Sequence, residues 1–363
     1  MLYFCIMDEL YYDAIDLLKR MISIPSPSRE EGEAADLLES QLAAWGLRPV
    51  RHGNNVWCVA GEYDAGKPTL LLNSHIDTVR PADGWTIDPY TPVESDDERI
   101  YGLGSNDAGA SVVSLLAAYR YLADQEREYN IIFLASCEEE VSGKGGIEAA
   151  LPLLPYIDVA IVGEPTAMQP AIAEKGLMVL DGTVTGVAGH AARDEGENAI
   201  YNAIAVIESL RNAATIFGRQ SSLLGPVKVS VTQIEAGRQH NVVPDVCHIV
   251  VDVRTTDAYS NVETLGLLQQ AAGDKCTLVP RSTRLNPSGI DPNHPLVRRL
   301  EILGKQAFGS PTLSDQALMP FPSLKIGPGD SARSHTADEY IEKWEIRDAI
   351  QTYIALLDGC HLD

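Results

Sequence analysis

The run Leu70-Leu71-Leu72 constrains this chain more than any other stretch. It has strand length, no polar residue alternates with the apolar ones, and Asn73-Ser74-His75-Ile76-Asp77-Thr78 ends it. A run without alternation does not fit a sheet with one wet face. It predicts a strand covered on both faces, as in a parallel sheet. Asn130–Ser136 and Val159–Val162 read the same way and end in Cys137-Glu138-Glu139-Glu140 and Gly163-Glu164-Pro165. Helical periodicity fills the intervals: Leu10, Ala14, Leu17, Leu18 and Met21 within 8–24, then Ala34, Leu37, Leu38, Leu42 and Trp45 up to Gly46, then an Ala-, Leu- and Val-rich helix over 108–122. Ser28 followed by Glu31 predicts a capping box. Strands alternating with helices point to an α/β fold with a mostly parallel sheet.

After about Lys175 the pattern changes. Residues 177–187, 227–234, 247–254 and Cys276–Pro280 read as strands, and 197–211 and 260–272 as helices. This strand-helix-strand-strand-helix-strand order predicts a ferredoxin-like α+β insert. The expected organisation is a first domain part over 1–175, an insert over 176–284 and a second domain part over 285–363, with helices at 294–308 and 342–357 and a strand at 323–326.

The net charge of −23 argues against nucleic acid or an anionic membrane as a partner. Six scattered cysteines without a Cys-x-x-Cys pair suit a reducing compartment. The apolar start Met1-Leu2-Tyr3-Phe4-Cys5-Ile6-Met7 is short for a signal segment and lacks a basic flank, and either Met1 or Met7 fits as the initiator. No run approaches the ~20 apolar residues of a membrane span. The expected location is the cytoplasm.

In open α/β sheets functional groups gather at the carboxyl ends of strands. His75 and Asp77 sit there, and the strand period of two points both the same way. Asp107 opens the helix over 108–122, where an N-cap is the plain structural alternative. Glu138 to Glu140 and Glu164 follow two more strands, and His335 follows the Gly327-Pro328-Gly329 loop. Carboxylates converging on one rim repel one another unless a cation neutralises them. Mixed imidazole and carboxylate donors suit zinc, with cobalt or manganese as substitutes. The donors are too many for one tetrahedral ion and fit two ions ~3.5–4 Å apart that share a carboxylate.

With these motifs assembled, the chain resembles the dinuclear-zinc aminoacylase and carboxypeptidase family, in its acetylornithine deacetylase and succinyl-diaminopimelate desuccinylase branch. The resemblance covers nearly the whole chain. It is carried by Ser74-His75-Ile76-Asp77-Thr78-Val79, Gly104-Ser105-Asn106-Asp107, Glu138-Glu139-Glu140, Gly163-Glu164-Pro165-Thr166, Gly189-His190-Ala191-Ala192, Asn241-Val242-Val243-Pro244 and Ser334-His335-Thr336. It implies that His75 and Glu164 hold one zinc ion, Glu140 and His335 the other, and that Asp107 bridges them. Asp77 would orient His75, and Glu139 would be the general base that takes a proton from the attacking water. Counting back from Lys144 and Gly146 gives this register; Glu138 as base with Glu139 as ligand is the alternative. The resemblance also implies a homodimer through the insert, with His190 of one subunit reaching the other's active site, and substrate carboxylate contacts from Arg254 and Asn241. For Arg254 a structural ion pair is the competing assignment.

The chain departs from the family where Ala108-Gly109-Ala110 replaces the usual Met-Lys-Gly after the bridging Asp. Ser331 and Arg333, close to His335, are further substrate-pocket candidates. The implied activity is removal of an N-acyl group from a small N-acylated amino acid, of the acetylornithine deacetylase kind and in arginine biosynthesis. Succinyl-diaminopimelate, succinyl-ornithine or succinyl-citrulline deacylation and di- or tripeptide hydrolysis are the enzymatic alternatives. A metal-binding scaffold protein is the non-enzymatic one.

Overall fold

The computed structural model of the chain describes residues 2–362, the side chains of 2–4, 213 and 214 apart. Met1, one of the two initiator candidates, lies outside the described residues. The chain forms two compact units, Met1–Ile172 with Ile290–Phe308 and Ser314–Asp363, and Ala173–Gly289 with Gly309–Leu313. The divisions thus fall three residues before and five after those read from the sequence, at 172/173 and 289/290.

The first unit is built on a sheet that runs, in spatial order, Val50–His52, Asn55–Val59, Asn130–Ser136, Thr69–His75, Val159–Val162 and Ser323–Lys325. The last four are mutually parallel, with His75 opposite Ser136 and Asn73 opposite Val162. Successive residues of the apolar runs enter two different cores. Leu70, Leu72, Ile131, Phe133, Val159 and Ile161 face the helices Leu2–Ile22, Ala110–Ala123 and Lys343–Leu357. Leu71, Ile132, Leu134, Ala160 and Val162 face Ile147, Ala150, Ile157 and Met319. Leu70, Leu71 and Leu72 are fully buried, each worth about 1.5–3 kcal/mol of transfer free energy. Because the strands are parallel, residues 76–77, 137–140, 163–164 and 326–327 all leave the sheet at one edge.

The second unit has an antiparallel sheet in the order Lys228–Ala236, Val246–Thr255, Gly176–Thr185 and Cys276–Pro280, with helices Ala199–Arg211 and Asn261–Ala272. This is the ferredoxin-like arrangement. The helix Asn261–Ala272 opens with a capping box of Ser260 and Glu263.

Three local expectations are corrected. The helix read over 294–308 is only Pro295–Ile302. Gly304 takes φ +80°, its N–H reaches Glu301 O and the Lys305 N–H reaches Leu300 O, both at 3.0 Å, a glycine-dependent stop that periodicity does not register. The helix after Asp107 starts at Ala110, preceded by a wide π-type turn over Ser105–Gly109. Asp107, at φ −123° and ψ 97°, sits within that turn and does not cap the helix. Ser28 and Glu31 make no capping box, because both side chains point into the functional site.

Candidate metal centre and active site

His75 ends its strand with both ring nitrogens committed. Nδ1 lies 2.9 Å from the carbonyl of Asp77, and Nε2 lies 3.2 Å from Asp107 Oδ1 and 3.9 Å from Glu164 Oε1. The Asp77 carbonyl is an acceptor and the Asp107 carboxylate faces the other nitrogen. Burial alone would lower the pKa of His75, but hydrogen bonds to Asp107 and Asp77 and the charges of Glu139 and Glu164 push it well above its ordinary value. Across Asp107, His335 Nε2 lies 3.0 Å from Glu140 Oε1 and 3.7 Å from Asp107 Oδ2. The hydrogen bond that His335 donates to Glu140, opposed by burial and helped by the charges of Glu140 and Asp107, raises His335 to about 9.

Two ligand groups result: His75, Asp107 and Glu164, and Asp107, Glu140 and His335, with the donor atoms of each group within 4.8 Å of one another. They share Asp107. Its carboxylate faces the two histidines with different oxygens, Oδ1 toward His75 and Oδ2 toward His335. The donor set fits divalent cations. It is all carboxylate oxygen and imidazole nitrogen, and it converges on two adjacent points that share Asp107.

The structure separates the three consecutive glutamates. Glu138 adopts φ +55° and turns its carboxylate back onto the glycine loop, where the Gly145 N–H donates to Oε2 at 3.3 Å. A Cβ on Gly143 would stand 2.6 Å from Glu138 Cβ, an atom that cannot swing aside without the backbone, so a larger residue would push this turn apart. Glu140 joins a ligand group, and the half-buried Glu139 beside it belongs to neither. Burial, partly offset by His75 and reinforced by Glu164, Asp315 and Glu140, raises the Glu139 pKa well above the carboxylate range.

Asp77 holds this turn in place. Its Oδ1 accepts the Glu139 N–H at 3.0 Å, and its Oδ2 accepts the Glu140 N–H at 3.1 Å and the Ser28 hydroxyl at 2.7 Å. One tier out, Glu31 Oε1 accepts the N–H groups of Glu138 at 3.1 Å and Arg29 at 2.6 Å. Glu339 Oε1 accepts those of Asn106 and Asp107. Asp315, raised to about 6 chiefly by burial, accepts from Ser136 at 2.6 Å. Sequence reasoning assigned Glu31 a capping role and marked neither Glu339 nor Asp315, since an acidic residue in a polar loop looks the same whether it is solvated or buried.

The substrate candidates are placed differently. Arg333 donates to Glu345 at 2.7 Å and lies over the Tyr340 ring, so its guanidinium is already engaged, while Ser331 is exposed. In the second unit Arg254 forms a two-point pair with Asp252 on its own strand, at 2.9 and 3.2 Å. Gly189-His190 pairs with Val242-Val243, and the Ala191 N–H donates to Asn241 O at 3.0 Å, which brings His190 and Asn241 side by side. His190 is exposed, and its Nδ1 accepts the Ala192 N–H at 3.1 Å.

A model of the peptidase family M20/M25/M40 matches residues 71–359, which include every ligand above. The chain belongs to this family. It is therefore a hydrolase of a metallopeptidase family, and its fold and paired ligand groups agree with that membership. An acetylornithine deacetylase from Edwardsiella ictaluri is 29% identical over 354 residues, 90% of this chain and 92% of the relative. Among solved M20-like folds, a tripeptidase from Staphylococcus aureus has a TM-score of 0.74 at 20% identity and covers 96% of this chain and 97% of its own. A dinuclear metal-binding M20 peptidase from Bacillus subtilis has a TM-score of 0.73 at 16% identity, covering 96% and 98%. Among the described residues no helix is long and apolar enough to cross a membrane.

Proposed function

We propose that this M20 hydrolase removes the N-acyl group from a small N-acylated amino acid, as an acetylornithine deacetylase does. The observation that carries the reading is the pair of ligand groups sharing Asp107, with Glu139 held beside them and used by neither. The relative matching 90% of the chain supports the acyl-amino-acid class and, with it, a place in arginine biosynthesis. Six free cysteines agree with a cytoplasmic setting.

His75, Asp107 and Glu164 would hold one zinc ion, and Asp107, Glu140 and His335 a second, with cobalt or manganese as substitutes. When bound, such a pair supplies electrophilic polarisation of the amide carbonyl and acidifies water. Glu139 takes the proton as water oxygen attacks the carbonyl carbon. It then delivers that proton to the amide nitrogen as the C–N bond breaks, and the remaining proton of the attacking water passes from the new carboxylic acid to the amine, leaving a carboxylate and an ammonium group. Asp77 fixes the backbone that aims Glu139.

His190 and Asn241, adjacent in the second unit, are proposed to meet substrate there, with His190 acting across a homodimer. Arg254 can grip a substrate carboxylate only by sharing or leaving Asp252. The edge strand Lys228–Ala236, largely exposed along its length, and exposed Tyr201 and Ile204 support a dimer through this unit. Initial rates on N-acetyl-ornithine, N-succinyl-ornithine, N-acetyl- and N-succinyl-citrulline, N-succinyl-diaminopimelate and Ala-Ala test the reading. One acyl-amino acid is expected to exceed the rest by orders of magnitude and to lose its rate on chelation. Preference for Ala-Ala would reassign the enzyme as a peptidase.

A further inference from the structure

Asp107 and His335 stand on separate loops, and these loops are laced together away from the ligand atoms. Glu339 Oε1 accepts the N–H of Asn106 at 2.8 Å and of Asp107 at 2.9 Å. Its main-chain carbonyl accepts the Gly102 N–H at 3.0 Å, and the next residue, Tyr340, pairs with Tyr101 in an antiparallel ladder. Asn106 closes the lacing from the other side. Its Nδ2 donates to Asp330 O at 3.1 Å and Ser334 Oγ at 3.2 Å, and its Oδ1 accepts the Asp330 N–H at 3.0 Å. The loops can approach this closely because Gly329, at φ +87°, has no side chain; a Cβ there would lie 2.2 Å from Asn106 Oδ1.

Glu339 is 2% exposed and belongs to neither ligand group. Burying a carboxylate is unfavourable, and charge-assisted hydrogen bonds to two backbone amides offset that cost. The two amides it holds are those of the shared ligand and of the residue before it, and His335 lies four residues earlier on the same loop. We propose that Glu339 is a positioning residue that locks the His335 loop to the backbone of Asp107, so that the Asp107–Glu140–His335 group forms as one piece. The inference rests on the two-metal reading. His75 and Glu164 hang from the ends of parallel sheet strands and are placed independently of Glu339. Removing Glu339 therefore weakens the Asp107–Glu140–His335 equivalent most, because both the His335 loop and Asp107 lose their anchor, and reaches the other only through the shared Asp107.

The test is titration of the metal-free full chain with Co2+, followed by visible absorbance and calorimetry, with melting of each variant as a folding control. Outer partners of metal ligands typically contribute about 10–100-fold to affinity, and Glu339→Ala is expected to weaken one equivalent by that factor and the other by less than about 3-fold. Glu339→Gln keeps an acceptor oxygen but loses the charge that roughly doubles such bonds, so about a 3–10-fold loss, larger for that equivalent than for the other, is expected. If the alanine variant does not fold, the glutamine variant decides alone. Two unchanged equivalents in the folded variants, or equal weakening of both, would overturn the assignment of Glu339 while the two-metal reading stands. A wild-type chain that takes up no Co2+ would overturn both.

Discussion

The carboxylate of Asp77 accepts the backbone N–H groups of Glu139 and Glu140, while its main-chain carbonyl, 2.9 Å from His75 Nδ1, fixes the imidazole. One residue therefore sets the ring that offers Nε2 to the first ligand group and the turn that carries Glu139, the proposed base, and Glu140 of the second group. At this scale the roles of the glutamates separate. Glu139→Gln keeps the shape and removes the proton acceptor, so kcat is expected to fall about 10²–10⁴-fold, with KM and bound metal little changed. Loss of metal in that variant would instead make Glu139 a ligand. The histidines set the pH dependence. His335 is raised to about 9, so in the metal-free protein it is protonated at neutral pH, yet a ligating nitrogen must be free of its proton. Cation uptake then expels protons, and affinity should rise with pH up to about 9. Chelator competition at about pH 6.5 and about pH 8.5, corrected for the chelator's own protonation, is expected to show tighter binding at the higher value. A flat or inverse profile would contradict the placement of His335.

The strands were readable to the residue where burial is two-sided. Asn130–Ser136 and Val159–Val162 have the bounds that the apolar runs predict, because every position is excluded from water and every position signals it. The turns that carry the chemistry were not readable in the same way. The π-type turn at Asp107, the φ +55° kink at Glu138 and the inward-facing Ser28 and Glu31 depend on partners far along the chain, which local periodicity does not encode. Resemblance and the count back from Lys144 and Gly146 favoured Glu139 and Glu140, while the physical separation of Glu138, turned back into its glycine cradle, is visible only in three dimensions. That cradle makes an element-scale prediction. Gly143→Ala forces a methyl group against Glu138 and should displace the turn behind it, lowering both kcat and metal affinity. Gly218→Ala, with nothing within 4 Å of its Cβ position, should leave both unchanged. Equal behaviour of the two variants would show that the Glu138 turn does not set the site.

At the scale of the whole molecule, the parallel sheet gathers His75, Glu139, Glu140 and Glu164 at one edge, and the loops of the same unit add Asp107 and His335. The second unit supplies His190 and Asn241 side by side on a separate two-stranded ribbon. If His190 acts across a homodimer, specific activity should fall on dilution below the dimer dissociation constant, and His190→Ala should lower activity in concentrated and dilute samples alike. Activity independent of dilution down to fully monomeric protein would refute the shared site. The central claim is that two cations are held through one shared carboxylate. Its most direct measurement is zinc bound per chain after dialysis, for the wild type, Glu164→Ala and Asp107→Ala. The expected result is two equivalents in the wild type, one retained tightly in Glu164→Ala, and both weakened in Asp107→Ala. Two tightly held equivalents in Asp107→Ala, or none in the wild type, would contradict it.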